Sequence, residues 1–154
     1  MEAESRLAAL GLTLPSPATP AANYVSYVIA NDMLYLAGHG QPGDTTAPKR
    51  GKLGRDLTTD QGYQAARMVG LNLLGTMKAA LGDLDRVRQI VKVLGMVNCT
   101  PDFGEMPLVI NGASDLLVEV FGERGRHARS AVGMQGLPFG IPVEIEMVVH
   151  IETA

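Results

Sequence analysis

Tryptophan is absent from this 154-residue chain, which also holds only three phenylalanines, four tyrosines and one cysteine. With so few aromatics, the core must be built from Val, Leu, Ile, Met and Ala. Cys99 has no second cysteine to pair with, which fits a reducing compartment. No apolar run approaches the ~20 residues that a membrane span needs. The opening Met-Glu-Ala-Glu carries neither the basic region nor the apolar stretch of an export signal, so a cytoplasmic protein without a membrane partner is expected. His39, His127 and His150 are scattered, with no metal-ligand spacing, and no metal site is expected. Glycine-rich dinucleotide, Walker and GxSxG motifs are missing, so nucleotide binding and serine hydrolase chemistry have no support; internal repeats are absent too. The charge balance is slightly acidic, with a net charge of −3. Lys49, Arg50, Lys52 and Arg55 cluster without interleaved aromatics, which reads as a solvated loop and not as a nucleic-acid footprint.

What is present describes a folded, soluble protein. Hydrophobic residues make up 46% of the chain, enough for one sizeable core in one ordinary domain. Leu7, Leu10 and Gly11 suggest a short N-terminal helix or a mobile arm. Pro15, Pro17 and Pro20 favour an extended leader strapped across the domain, so residues 1–22 are read as an arm and 23–154 as the domain. Asn31-Asp32 between two β-rich runs, 24–29 and 33–38, predicts a first hairpin with Tyr24 and Gly38 on its two arms.

Thr58 to Gln61 has the spacing of a capping box, and Tyr63, Ala66, Gly70, Leu74, Met77 and Leu81 recur at helical intervals until Gly82. Ala65, Ala66 and Gly70 leave room for close approach to a sheet, with Arg67, Asn72 and Lys78 facing outward. Residues 87–97 are apolar on both parities, which predicts a strand covered on both faces. Pro107 suits the first turn of a second helix, with an apolar stripe from Ala113 to Phe121 and Gly122 as its stop. Asn111 on that helix is either a local backbone hydrogen bonder or a ligand contact. Cys99 has no His partner nearby and reads as an inert thiol.

The closing segment carries the chemistry. From Ile141 to Ile151 apolar residues alternate with Glu144, Glu146 and His150, the pattern of a strand with one dry face. Gly136 to Gly140 is turn chemistry, so residues 129–135 are expected to return antiparallel against this strand as a hairpin. A turn centred on Pro138-Phe139 would put Arg129 and Ala131 on one face with Glu144 and Glu146, an inference that depends on register. Arg129 would then be either one half of a structural ion pair or a guanidinium fork for a substrate carboxylate.

The run Arg129-Ser130-Ala131-Val132, then Leu137-Pro138 and Val143-Glu144-Ile145-Glu146, resembles the C-terminal signature of the reactive intermediate deaminase family (RidA/YjgF), also known as L-PSP endoribonucleases. Asn23-Tyr24, Asn31 to Leu36, Ala37-Gly38 and Ile110-Asn111 agree in order, so the resemblance covers roughly residues 20 to 152. The predicted fold class is α+β, a single mixed sheet with two helices on one face in the order β-β-α-β-α-β-β. The resemblance implies that this is the chorismate mutase-like fold.

It further implies a homotrimer with a cleft at each subunit boundary. The implied activity is hydrolysis of 2-imino or 2-enamino acids to 2-oxo acids and ammonia, without metal or organic cofactor. In that mapping Arg129 clamps the substrate carboxylate and Glu144 orients the water. Gly38, Tyr24 and His39 line the pocket, and Asn111 supports Arg129 across the interface. Ala131 stands where many members have a cysteine, and His39 where many have an amide. The 41–51 loop and the stretch after Asn111 look longer than in compact members. A trimeric binder of small carboxylates without turnover is the competing reading, and an endoribonuclease is the weakest.

Overall fold

The alternation in the closing segment builds the middle of the molecule. In the computed structural model, which describes residues 2–154, Val143–Ile151 forms strand β5 with strictly alternating burial. The other strands are β1 (Tyr27–Ala30), β2 (Met33–His39), β3 (Val87–Asn98) and β4 (Ala128–Met134), arranged β1-β2-β5-β3-β4 in one mixed sheet. Helices α2 (Thr59–Leu81) and α3 (Met106–Phe121) cover one face, and α1 (Glu2–Ala9) precedes the expected element order. No helix among the described residues is long and apolar enough to cross a membrane.

Local chemistry sets the element ends. Thr58 and Gln61 cap α2 reciprocally, satisfying backbone donors that would otherwise be orphaned at its first turn. Gly82 and Gly122 close α2 and α3 in positive-φ conformations that a side chain would resist. The first hairpin turns at Asn31, whose φ of 56° is tolerated because a short amide side chain can occupy the left-handed region. Tyr24 precedes β1 instead of lying within it.

The small residues of the two long helices let them approach each other. A Cβ built on Gly112 would lie 2.0 Å from the Tyr63 carbonyl oxygen, and one on Gly70 would lie 3.3 Å from Ala113 Cα. Gly70 therefore serves a helix–helix crossing and not the helix–sheet contact expected from sequence. Gly112 tolerates no side chain without backbone movement, typically about 1–3 kcal/mol of overpacking. Outside the crossing, Tyr63 donates to Asp115 at 2.7 Å and Arg67 pairs with Glu119 at 2.8 Å. Asn72, expected outside, is buried and donates to the Gly40 carbonyl at 3.0 Å.

The N-terminal helix is docked. Ala3 and Leu7 join the core, while the Glu2 and Ala3 backbone N–H groups donate to Asp85 at 2.6 and 2.9 Å. Both hold the Asp85 carboxyl down at about 2, the Ala3 bond foremost. Lys78 pairs with Glu4. The proline leader then lies over α2, where Pro15 O closes the space above Gly75.

Two expectations about the sheet are corrected. Residues 87–97 are apolar on both parities because β3 changes register between Val87 and Gln89 and again between Ile90 and Lys92. These irregularities let Val87, Ile90 and Val93 all reach the helical side. The strand is covered on that face only, and Val91 on it stays exposed.

The expected antiparallel hairpin of 129–135 with 141–151 does not form. β4 instead pairs in parallel with β3, Val93 opposite Arg129, and β3 separates it from β5. Helix α3 supplies the crossover that parallel neighbours require. The 136–140 turn still reverses the chain, but it bridges the end of β3, whose Asn98 N–H donates to Pro142 O at 2.9 Å.

Candidate functional site

Glu144 is the second residue of β5 and points to the sheet face opposite the helices, between the inward-facing Val143 and Ile145. On the neighbouring strand the register slips between Leu36 and His39, and this irregularity sets Gly38 against the carboxylate. A Cβ on Gly38 would come within 2.7 Å of Glu144 Oε2, so the bare backbone is a requirement of the site. Burial raises the Glu144 carboxyl above its usual range, and the like charge of Glu146 adds to the rise. Among the described residues, no group donates a hydrogen bond to this carboxylate.

A cleft of about 400 Å³ opens in front of it, walled by Tyr24, Gly38, Lys49, Arg50 and Phe139. Lys49 and Arg50 stay exposed, as expected of the 41–51 loop, but the loop that carries them is not loose. Gln41 donates to Pro48 O at 2.8 Å and accepts from the Thr45 hydroxyl, and Gly51 N–H donates to Gly140 O at 3.0 Å. Pro42 and Ala47 are buried beneath. The loop is thus a folded wall that presents Lys49 and Arg50 to the same space as Glu144.

His39 turns away from this space. Its Nδ1 lies 2.6 Å from Ala37 O and its Nε2 2.9 Å from the buried Thr76 hydroxyl. A carbonyl only accepts, so Nδ1 carries the proton and the neutral ring accepts from Thr76. Burial lowers its pKa, against a smaller opposing effect of the Ala37 bond. The imidazole borders a smaller neighbouring cleft between the leader and α2, with its polar atoms already used.

Arg129 belongs to a different part of the surface. On edge strand β4 its side chain follows the Val93 row toward the helices, where Nη1 donates to Ser114 Oγ at 3.0 Å and Nη2 to Pro107 O at 3.1 Å. No carboxylate pairs with it among the described residues. Ser114 also meets His127 Nε2 at 2.9 Å, and His127 Nδ1 lies 2.6 Å from Gly125 O. The proton directions follow: Arg129 donates to Ser114, Ser114 donates to His127, and His127 donates to Gly125. This arrangement uses the neutral imidazole, in keeping with a pKa lowered by burial, against the Gly125 bond, and further by the Arg129 charge. Asn111 lines the same shallow cleft as Arg129. Ala131 does not, because it packs beside the core.

Within this chain the residues named from sequence therefore separate, with His39 and Ala131 outside both the Glu144 and the Arg129 clefts. Tyr24, Gly38 and Glu144 share one cleft, Asn111 and Arg129 another, and the expected common face of Arg129 and Glu144 is not formed. Sequence reasoning missed Ser114, His127, Lys49 and Arg50 as wall or support. Ser114 was detectable as one helical turn after Asn111; the loop cations carried no comparable signal. No group of three or more His, Cys, Asp or Glu among the described residues is placed to hold a metal ion.

The mixed sheet with its one-sided helix pair and these two clefts define a chorismate mutase-like α+β protein. The model of the family described as "YjgF/chorismate mutase-like, putative endoribonuclease" matches residues 4–143, and the chain belongs to this YjgF/RidA family. Protein TCP17 of Trypanosoma cruzi is 47% identical over 96% of this chain and 92% of its own. A crystal structure of Agrobacterium tumefaciens protein Atu1372, described as of unknown function, matches at TM-score 0.88 and 44% identity, covering 98% of this chain and 94% of that one. A "putative endoribonuclease" from Shewanella oneidensis matches at TM-score 0.93 and 35% identity, over 98% and 100%. RidA from an Antarctic Psychrobacter is more distant, at TM-score 0.57 and 26% identity over 88% and 94%.

Proposed function

We propose that this protein hydrolyses reactive 2-imino and 2-enamino acids to 2-oxo acids and ammonia, at sites completed between neighbouring copies of a homotrimer. The observation that carries the reading is Glu144: a desolvated carboxylate without a protein partner, pressed against a glycine in a ligand-sized cleft. A carboxylate raised toward working pH is a better base than an ordinary one. In the proposed reaction, Glu144 orients a water and takes its proton as oxygen adds to the imine carbon. That proton passes to nitrogen to give the carbinolamine; Glu144 then relays the hydroxyl proton to the amine as the C=O bond forms and the C–N bond breaks, and ammonia leaves with the electron pair of that bond. Arg129 of the neighbouring copy clamps the substrate carboxylate, with Asn111 supporting it, while the Gly38 backbone and Tyr24 complete the wall.

The helix-free face of the sheet supports the assembly. Val28, Tyr35 and Val132 on it are exposed, with Leu94, Met96 and Val148 half-buried beside them. An apolar face of this kind calls for cover, and closed symmetry is the common solution. The buried free Cys99 agrees with a cytoplasmic setting.

Capture of a carboxylate without turnover is the second reading, favoured by Ala131, which brings no thiol to the site. Endoribonuclease activity is weaker, since it would call for dense phosphate-binding basic surface. Ammonia release from freshly generated 2-iminobutyrate, measured above its spontaneous hydrolysis, tests the proposal. Melting shifts with 2-oxobutyrate but no rate above that floor would establish the binder instead.

A further inference from the structure

We propose that Lys49 and Arg50 form, beside Glu144, a second anion site that selects substrates with a carboxylate on the side chain, so that the preferred substrates are imines of short 2-oxo dicarboxylic acids. The inference rests on the proposed function, in which Arg129 holds the carboxylate next to the reacting carbon.

Placement comes first. Both cations wall the cleft that contains Glu144 and Gly38, so an anion held there is part of whatever reacts at Glu144. Its volume of about 400 Å³ lies in the range of about 300–1,000 Å³ usual for small-molecule sites, which leaves room beyond the reacting carbon.

The second observation is the missing counter-charge. Arg55, Arg67, Lys78, Arg88 and Arg126 are each ion-paired within the chain, and Lys52, Arg86 and Lys92, without a carboxylate, donate to neutral oxygens outside the cleft. Among the described residues, Lys49 donates only to the Gly43 carbonyl, at 3.1 Å, and Arg50 has no hydrogen-bond or ion-pair partner. Two adjacent cations without an anion repel each other, and a carboxylate between them relieves the repulsion and accepts charge-assisted bonds.

The third is order. The loop is held by the Gln41, Thr45 and Pro48 bonds, and Gly51, next to Arg50, is tied to Gly140. Much of the entropy a mobile loop would lose on binding is therefore already spent. A monocarboxylic imine would leave both cations unanswered, whereas a dicarboxylic one spans Arg129 of the neighbouring copy and the Lys49–Arg50 pair with its imine carbon near Glu144.

The test is calorimetric binding of 2-oxoglutarate and 2-oxobutyrate to the full-length assembly at one ionic strength. Wild type is expected to prefer 2-oxoglutarate by about 10-fold or more, the worth of bonds to a charged group. Lys49→Gln with Arg50→Gln should bring the ratio near one. Arg50→Gln alone, which keeps the Lys49–Gly43 bond, should lower it part of the way. Arg55→Gln, outside the cleft, should leave it unchanged. Equal wild-type affinities, an unchanged ratio in the double variant, or an equal drop with Arg55→Gln each overturn the second anion site. If 2-oxobutyrate binds in an Arg129-dependent manner while 2-oxoglutarate binds no better, only this inference falls. If neither oxo acid binds, the proposed function falls with it.

Discussion

Arg129 and Glu144 lie on opposite faces of the same sheet. Arg129 shares the Val93 row and reaches Ser114 on the helical side, while Glu144 pairs with Met96 on β3 and meets Gly38 on the open side. Side chains alternate along a strand, so no rotamer change brings the two together within one chain. A reaction that uses both requires two copies.

The protein is therefore expected to assemble, and light scattering at micromolar concentration should give a trimer. Mixing inactive Arg129→Ala and Glu144→Gln chains should recover activity, because some clefts would receive an intact residue from each parent. A stable monomer with full activity would refute the shared site.

Arg129→Lys should be nearly as damaging as Arg129→Ala. Lysine keeps the charge but loses the two-pronged geometry and with it the simultaneous bonds to Ser114 and Pro107 O. Hydrogen bonds to charged groups are worth roughly 1.5–3 kcal/mol, about 10- to 150-fold in carboxylate affinity. Calorimetry on folded, assembled variants decides; full affinity in the Lys variant would remove the clamp.

In the proposed reaction Ser114, bonded to Arg129 and His127, is a positioning residue. Ser114→Ala leaves the Arg129 fork held at one end and His127 Nε2 without a donor, so Kd for a 2-oxo acid should rise several-fold with kcat little changed. Ser114→Thr, which keeps the hydroxyl, should restore much of the affinity. A fall in kcat at constant Kd would contradict this role.

Glu144→Gln should preserve 2-oxo acid binding while slowing imine hydrolysis by about 10²- to 10⁴-fold, limited by the spontaneous floor. An amide still bonds water but cannot take its proton. Because burial raises the Glu144 pKa, the active, ionised form is lost as pH falls through a value above the ordinary carboxylate range. The wild-type rate should show this acid limb and the Gln variant should lack it. Wild-type turnover in Glu144→Gln would make the residue structural.

The N-terminal helix should undock in acid. Asp85 has its pKa lowered to about 2, first by the Ala3 N–H bond. Its contribution is complete above its unfolded value of 3.8 and is lost as pH falls toward about 2. Asp85→Asn should lower the melting temperature near neutral pH and flatten its dependence on pH in that window. An unchanged pH dependence would show that the carboxylate does not anchor α1.

Much of the architecture was legible because its signals are local. The Thr58–Gln61 box, the stops at Gly82 and Gly122, the Asn31 turn and the alternation through β5 each depend on residues within a few positions of one another. The ordered landmarks from Asn23 to Glu146 pointed to the family, and the family match bears that out. The location of Gly38 and Glu144 together was not local, yet it was anticipated through those landmarks.

What the tertiary structure alone decided are matters of partnership. The period of β4 marked a strand, but period does not say which strand lies beside it. The α3 crossover made β4 a parallel neighbour of β3, which moved Arg129 to the helical face. Both parities of β3 are apolar because the register shifts turn Val87, Ile90 and Val93 to one face, while Leu94 and Met96 lie on the open face. Lys49 and Arg50 looked like scattered loop charges until the loop folded against Gly140 and set them before Glu144. Sequence fixes conformational preferences over a turn or a strand, where sterics and hydrogen bonding act on near neighbours. Which charges face one another depends on pairings between distant segments, and those are chosen by the packing of the whole chain.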